Sequence, residues 1–320
     1  MNKIQLIVNN GAGTGKAHRV WMETQRLLRK YKIQYTAHMT RYEGHATALA
    51  TQISQMQGNS PIYLIVVGGD GTINEVLNGI TDFDRVRMGV IPTGSGNDFG
   101  RNLNLPKEPK ESLRQICRYI KKDQKGEELM RIDLGQVRWE DCEKPRIFGI
   151  SAGIGMDAIV CKKALHSRIK KVLNRFHLGK LTYLILTVQS LFTMETGNIK
   201  ILTDQGKKYL LPKTIFVAAM NVPTEGGGVP MAPKASPYDG KLSLSSASGL
   251  PKWKTFLLLP VLVAGKQRII PEFMIRESKS FQLISNTPMV LHADGEYCGD
   301  VHKVEFQCLE KKLWLLHEKV

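Results

Sequence analysis

Residues 66–80 read Val-Val-Gly-Gly-Asp-Gly-Thr-Ile-Asn-Glu-Val-Leu-Asn-Gly-Ile, a run that sets one carboxylate, Asp70, inside a glycine turn. The turn follows an apolar strand candidate, Ile62 to Val67. It opens a helix in which Ile73, Val76, Leu77 and Ile80 recur at i, i+3, i+4 and i+7. Thr72 and Glu75 stand at the spacing of a capping box. Strand, glycine turn and helix N-terminus together suit a phosphate: bare backbone N–H groups approach its oxygens, and the helix end adds partial positive charge. A carboxylate in such a place would repel phosphate unless a cation lay between them, so Asp70 points to Mg²⁺, bound directly or through water. Taken alone, the turn is equally well read as an ordinary strand-to-helix connection with a capping Asp. Its neighbours weigh against that reading.

Two similar turns flank it. Ile4 to Val8 is a buried-strand candidate leading into Asn9-Asn10-Gly11-Ala12-Gly13-Thr14-Gly15-Lys16 and a helix over about 17–31. Val86 to Ile91 leads into Pro92-Thr93-Gly94-Ser95-Gly96-Asn97-Asp98-Phe99-Gly100-Arg101. The P-loop spacing fails, because only three residues lie between Gly11 and Gly15 where four are needed, and Ala17 follows Lys16. The dinucleotide fingerprint fails too: Gly15 comes one position early, and Phe99 stands where a third glycine belongs.

The elements that must hold these turns alternate strand and helix up to about residue 130. This predicts a doubly wound α/β domain with a crevice at the carboxyl edge of a parallel sheet. A second strand candidate, with Ile33, Tyr35, Ala37 and Met39 alternating, ends at Thr40, and 108–122 reads as a charged helix. From Arg131 strand candidates dominate: 131–139, 146–150, 199–203, 209–211, 214–220, 242–245, 281–285, 289–293 and 301–308. They predict an antiparallel β-sandwich with inserted helices. Leu181 to Met194 reads as a packed helix. Asp133 reads as a hinge, an active-site group or a strand-edge polar residue.

The combination resembles the diacylglycerol-kinase catalytic family, in particular its soluble bacterial lipid-kinase branch. The carrying residues are Gly68 to Glu75, Ile91 to Arg101 and the late Asp294-Gly295-Glu296. The resemblance spans Asn9 to Glu296. Its first block is shared with NAD kinases and with sphingosine or ceramide kinases, and the other two point to the lipid-kinase branch. The pattern departs at Asn10, where proline is frequent, at Ser95, where threonine is usual, and at Gly100, where alanine is usual.

The resemblance implies a nucleotide kinase domain over 1–130, with about 309–320 packing back on it, and a β-sandwich lipid-substrate domain over 131–308. It implies ATP bound by Asn9, Asn10, Gly11, Ala12, Gly13, Thr40, Gly68, Gly69, Asp70, Gly71, Thr72, Ile73, Asn74 and Ser95. Glu296 is implied as the catalytic base, in competition with a plain hairpin-turn acid, and Asp294 as the residue orienting that turn. Ser236, Asp239 and Lys241 match a structural Mg²⁺ site, Lys241 only through its carbonyl, since an ammonium cannot ligate a cation. Lys16 and Arg101 are candidates for stabilising transferred charge or are surface cations. The implied reaction moves the γ-phosphate of ATP to a lipid hydroxyl, diacylglycerol foremost, giving phosphatidic acid. The alternatives are an NAD kinase-like phosphotransferase and a nucleotide-regulated lipid-binding protein without catalysis.

Composition narrows the partners. Five cysteines, Cys117, Cys142, Cys161, Cys298 and Cys308, show neither close pairing nor metal-ligand spacing and read as reduced, cytosolic thiols. No leader and no run of 18 apolar residues is visible, so the expected location is cytoplasmic and peripheral to a membrane. A formal charge of +16 over 320 residues calls for anionic partners. Nucleic acid is disfavoured because no recognition motif occurs; an anionic lipid surface fits better. The densest basic stretch is Lys162, Lys163, Arg168, Lys170, Lys171, Arg175 and Lys180, interleaved with Val172, Leu173, Phe176, Leu178 and Leu181. It reads either as an amphipathic docking element or as a solvated helix packed on its own domain.

Overall fold

The computed structural model describes residues 3–9, 11, 16–166, 190–191 and 193–318. Asn10, Ala12, Gly13 and most of the basic stretch, from Arg168 to Lys180, lie outside the described residues, as do the side chains of Lys16, Lys162 and Lys163 and most of 181–194. The chain forms two compact units. The first comprises Met1–Leu134, Pro237–Asp239 and Leu309–Val320; the second comprises Gly135–Ser236 and Gly240–Cys308.

In the first unit, β1 (Ile4–Val8), β2 (Tyr35–Met39), β3 (Ile62–Gly68) and β4 (Val86–Pro92) pair in parallel in the order β2-β1-β3-β4. β1 and β3 are buried along their whole length, which is why they read as unbroken apolar runs rather than alternating ones. The connecting helices are α1 (Lys16–Lys30), α2 (His45–Ser54), α3 (Asp70–Gly79), the short α4 (Asp98–Asn102) and α5 (Pro109–Gln124). β5 (Met130–Trp139) leaves this unit, and the end of β13 (Glu296–Leu315) returns to it, pairing Trp314 with Arg87 and Leu315 with Met88 beside β4. One core holds Ile4, Leu6, Tyr63, Ile65, Leu113, Ile116 and Leu316. Asp133 is fully buried in this unit. Its N–H donates to Pro237 O at 2.8 Å and its Oδ1 accepts from Lys311 N at 2.7 Å, so it is a structural tie.

The second unit is antiparallel. It contains β6 (Arg146–Phe148), β7 (Ser151–Gly155), α6 (Met156–His166), β8 (Gly197–Thr203), β9 (Lys208–Met220), β10 (Leu242–Ser248), α7 (Lys252–Val263), β11 (Phe273–Ser278), β12 (Ser280–Ala293) and most of β13. The long strands β9 and β12 are both bridged twice, by β8 over one half and by β7 over the other. Candidate strands 209–211 and 214–220 merge into β9 despite Pro212, and 281–285 and 289–293 merge into β12 across a register irregularity. β7, β11, α6 and α7 have no counterpart among the candidates. β7 reads Ser-Ala-Gly-Ile-Gly, too small and too short a segment to announce a core strand.

Candidate active site

The strand order reverses between β1 and β3, and chain segments leaving their carboxyl ends there create the crevice where ligands bind in open α/β sheets. Asn9 leaves β1 at that point. Its N–H donates to Val67 O at 2.9 Å and its Nδ2 donates to Thr72 Oγ1 at 2.9 Å, spanning the switch point. Thr40 leaves β2 and donates its N–H to Val8 O at 2.9 Å. The structure thus brings Asn9, Thr40 and the Gly68–Asn74 turn to one edge of one sheet.

Helix α3 begins at Asp70, with Gly69 in extended conformation as its N-cap and no side chain capping it. The capping-box reading of Thr72 and Glu75 is therefore corrected. Thr72 sits inside the first turn and accepts from Asn9, while Glu75 Oε2 accepts from Ala46 N at 3.0 Å, in the first turn of α2. The reason is supply: α2 has Gly44 as its N-cap and no capping side chain of its own, so its orphan donors recruit a carboxylate from α3. Ile73 and Asn74 are buried; Gly69, Asp70 and Gly71 are half-buried.

Two glycine positions are demanded by space. A Cβ on Gly68 would stand 2.6 Å from Thr72 Cβ, and one on Gly69 would stand 3.0 Å from Gly94 Cα. The β3 and β4 turns therefore touch backbone to backbone. Asp70 joins them further: Oδ2 accepts from Asp98 N at 3.0 Å and Oδ1 from Phe99 N at 3.1 Å, so its carboxylate caps the start of α4. Arg101 bonds Asp98 Oδ1 and donates to Gly96 O at 2.7 Å, bracing the same loop. Ser95 is exposed.

Two polar atoms here were missed as candidates. Thr93 Oγ1 and Asn97 Oδ1 are buried and have no hydrogen-bond partner. Asn97 takes the left-handed conformation, φ 50°, with its Nδ2 donating to Gly94 O at 2.7 Å. Orphaned buried polar atoms are rare and cost about 1–3 kcal/mol each unless something fills them, which suits a polar ligand. The signal was present in Pro92-Thr93-Gly94, but a lone Thr after a strand is commonplace.

The second unit shapes the Asp294-Gly295-Glu296 turn. Asp294, with φ 49°, accepts three backbone N–H groups in its carboxylate: Gly149 at 2.8 Å, Ile150 at 2.8 Å and Ser151 at 3.1 Å. Its own N–H donates to Ser151 O at 2.8 Å. Gly295, with φ 86°, donates its N–H to His292 Nδ1 at 3.2 Å, and Glu296, half-buried, opens β13.

His292 is buried, and its Nε2 lies 3.1 Å from Asp157 Oδ2. Burial alone would lower the His292 pKa, but Asp157 first, then Glu225 and Asp294, raise it above the usual value. Gly153 makes room for this pair, since a Cβ there would strike Asp157 Oδ2 at 2.2 Å. Ser151 Oγ hydrogen-bonds Glu225 Oε2. None of these supporting residues is visible as such in the sequence.

The metal-site candidates lie on one short turn: Ser236 half-buried, Asp239 and Lys241 exposed, with Gly240 at φ 71° between them. Among the described residues no cluster of three or more His, Cys, Asp or Glu side chains could hold a metal ion. No helix among them is long and apolar enough to cross a membrane.

Comparison with known proteins agrees with this geometry. Residues 3–128 match the diacylglycerol kinase catalytic domain, and residues 151–317 match the YegS C-terminal NAD kinase beta sandwich-like domain. The chain is 29% identical over 295 residues to YtlR of Bacillus subtilis, provisionally named a lipid kinase, covering 92% of this chain and 93% of that protein. It is 27% identical over 304 residues to a diacylglycerol kinase of Staphylococcus saprophyticus, covering 93% and 90%. A crystal structure of a diacylglycerol kinase from Bacillus anthracis shares the fold, with a TM-score of 0.67, 20% identity, and coverage of 99% of this chain and 97% of that one. The chain therefore belongs to the diacylglycerol-kinase family of lipid kinases, with a catalytic α/β domain followed by a YegS-type β-sandwich-like domain.

Proposed function

We propose that this phosphotransferase moves the γ-phosphoryl group of ATP to the hydroxyl of a membrane lipid, diacylglycerol foremost, yielding phosphatidic acid. The observation that carries the reading is the partnerless Thr93 hydroxyl, able to donate to a phosphate oxygen, beside the partnerless Asn97 Oδ1, among glycine turns at the switch point of a parallel sheet. Asn9, Asn10, Gly11, Ala12, Gly13, Thr40, Gly68 to Asn74 and Ser95 would hold the nucleotide through backbone N–H groups and hydroxyls. Lys16 would add positive charge; Arg101 would share its charge with Asp98. Phosphoryl transfer depends on such positioning and charge neutralisation more than on covalent chemistry.

Bound Mg²⁺ would neutralise phosphate charge beside Asp70. A carboxylate offers about four acceptor sites, so capping α4 leaves that role compatible. Ser236, Asp239 and the Lys241 carbonyl form an all-oxygen donor set of the hard kind that suits a second, structural Mg²⁺. Glu296 would accept the proton of the lipid hydroxyl as that oxygen attacks phosphorus. Asp294, held by three amides, would fix the turn that carries Glu296. The protein would work as a peripheral enzyme on an anionic membrane surface, in keeping with its +16 charge.

Labelled ATP presented with diacylglycerol, monoacylglycerol, a sphingoid base, a polyprenol and NAD in anionic mixed micelles separates the acceptors and tests the NAD-kinase alternative directly. Glu296→Gln should keep nucleotide affinity while kcat falls by about 10²–10⁴. A folded Glu296→Gln protein with near-wild-type turnover removes that residue from the mechanism.

A further inference from the structure

Helix α7 (Lys252–Val263), in the second unit, is apolar on both faces. Thr255 is its buried residue, and Leu258, Val261 and Leu262 pack on a core containing Phe216, Ala218 and Met231. The opposite face is not polar. Trp253 is 62% exposed, Phe256 41%, Leu257 61% and Val263 64%, and Ile269 just beyond the helix is 72% exposed. Positions 253, 256, 257 and 263 recur at helical spacing, so these side chains form one outward stripe. By contrast α5 turns Lys110, Glu111 and Arg114 outward. A helix that is hydrophobic all round belongs inside a protein or in lipid, and large apolar patches on a surface mark interaction sites.

We propose that the outward stripe of α7 is the element by which this protein inserts into the surface of an anionic lipid bilayer. Charge selects this occupant. Lys266 and Arg268 are exposed just past the C-terminal end of the helix, Lys252 and Lys254 stand at its start, and the whole chain carries +16. Lys254 is paired with Glu272 at 3.1 Å, which leaves the cationic weight at the Lys266–Arg268 end. Anionic headgroups would neutralise those cations while the stripe enters the acyl boundary. Two copies packed through the same stripe about a twofold axis would instead bring like charges together. Trp253 suits the boundary itself, with an apolar ring and a polar N–H. The choice of a bilayer over other apolar partners rests on the lipid-acceptor reading above; the exposure of the stripe does not.

Sedimentation with extruded vesicles of phosphatidylcholine and phosphatidylglycerol in equal parts tests the proposal on the full chain. Phe256→Ser/Leu257→Ser should weaken partitioning roughly tenfold or more, because the removed apolar area no longer leaves water. Lys266→Glu/Arg268→Glu should weaken it at low salt and converge on the wild type at about 1 M salt, where the Debye length is about 3 Å. Brominated acyl chains should quench fluorescence in the wild type but much less in Trp253→Phe. Circular dichroism and turnover of a soluble short-chain lipid should match the wild type, showing that the variants fold.

Unchanged partitioning of the folded Phe256→Ser/Leu257→Ser protein overturns the proposal. So does a wild-type dimer that this variant dissolves without loss of vesicle binding, which would assign the stripe to a second copy. Vesicle binding is read without catalysis, so failure to phosphorylate any lipid would refute the functional reading and leave the docking surface standing.

Discussion

Asp294 shows how one turn carboxylate can hold a bend in a neighbouring strand pair. Its carboxylate gathers the N–H groups of Gly149, Ile150 and Ser151, three donors that would otherwise lie unmatched at the bend before β7. Hydrogen bonds to a charged acceptor are worth about 1.5–3 kcal/mol each, and an orphaned buried donor costs about 1–3 kcal/mol. Asn tolerates the left-handed conformation that Asp294 adopts, so Asp294→Asn isolates the loss of acceptor strength from backbone strain. Urea unfolding should show a loss of about 1–3 kcal/mol at unchanged m-value. A shift under about 0.5 kcal/mol would mean that the bend is held by the rest of the sandwich.

Helix α3, which follows the Gly68–Asp70 turn, depends on a close crossing with α2. Gly79, at the end of α3, lets α2 approach: a Cβ there would lie 2.2 Å from Thr47 O and 2.8 Å from Ala50 Cβ. Around that point Thr51 Oγ1 donates to Gly79 O at 2.9 Å, and Thr47 Oγ1 donates to Glu75 O at 3.0 Å. Two effects oppose each other in Gly79→Ala. Alanine gains about 1 kcal/mol of helix propensity, while overpacking against a fixed carbonyl costs about 1–3 kcal/mol. At 2.2 Å the overlap is with backbone, which cannot rotate away, so the cost should win and thermal unfolding should move down. A neutral or stabilised variant would show that α2 and α3 can slide apart freely.

Two buried histidines give the units opposite responses to acid. His317, in the 309–320 segment of the first unit, is buried, its Nδ1 lacks a hydrogen-bond partner, and burial lowers its pKa despite the Leu103 carbonyl and Glu318. The unfolded chain takes up that proton first, so this contribution is present above about pH 6.5 and is lost as pH falls through the lowered folded value. His292, in the second unit, has a raised pKa. Its contribution is present below about pH 6.5 and is lost as pH rises through the raised folded value. Melting temperatures across about pH 5 to 8 should show His317→Gln losing least, relative to the wild type, at the acid end, and His292→Gln losing least at the alkaline end. Reversed slopes would contradict the burial and ion-pair assignments.

Much of the first unit could be read from the chain, because glycine turns between a strand and a helix are local features. Gly68 to Asn74 and Pro92 to Arg101 carry strand, turn and helix within a few residues of one another. The buried parallel strands also announce themselves as apolar runs. The α/β-then-sandwich order was legible for the same reason: alternating helix and strand give way to strands with turn signals. What escaped was set by partners far apart in sequence. Glu75 reaches Ala46 across 29 residues, Asp294 reaches Gly149 across 145, and His292 meets Asp157 across 135. Local propensity says nothing about such meetings, since they depend on which strands lie side by side. β7 stayed hidden because its glycines answer to distant neighbours, Gly153 to Asp157 and His292 and Gly155 to Ile215 O. α7 stayed hidden because a helix apolar on both faces has no amphipathic rhythm to detect, and only the packed core shows which face it leaves outside.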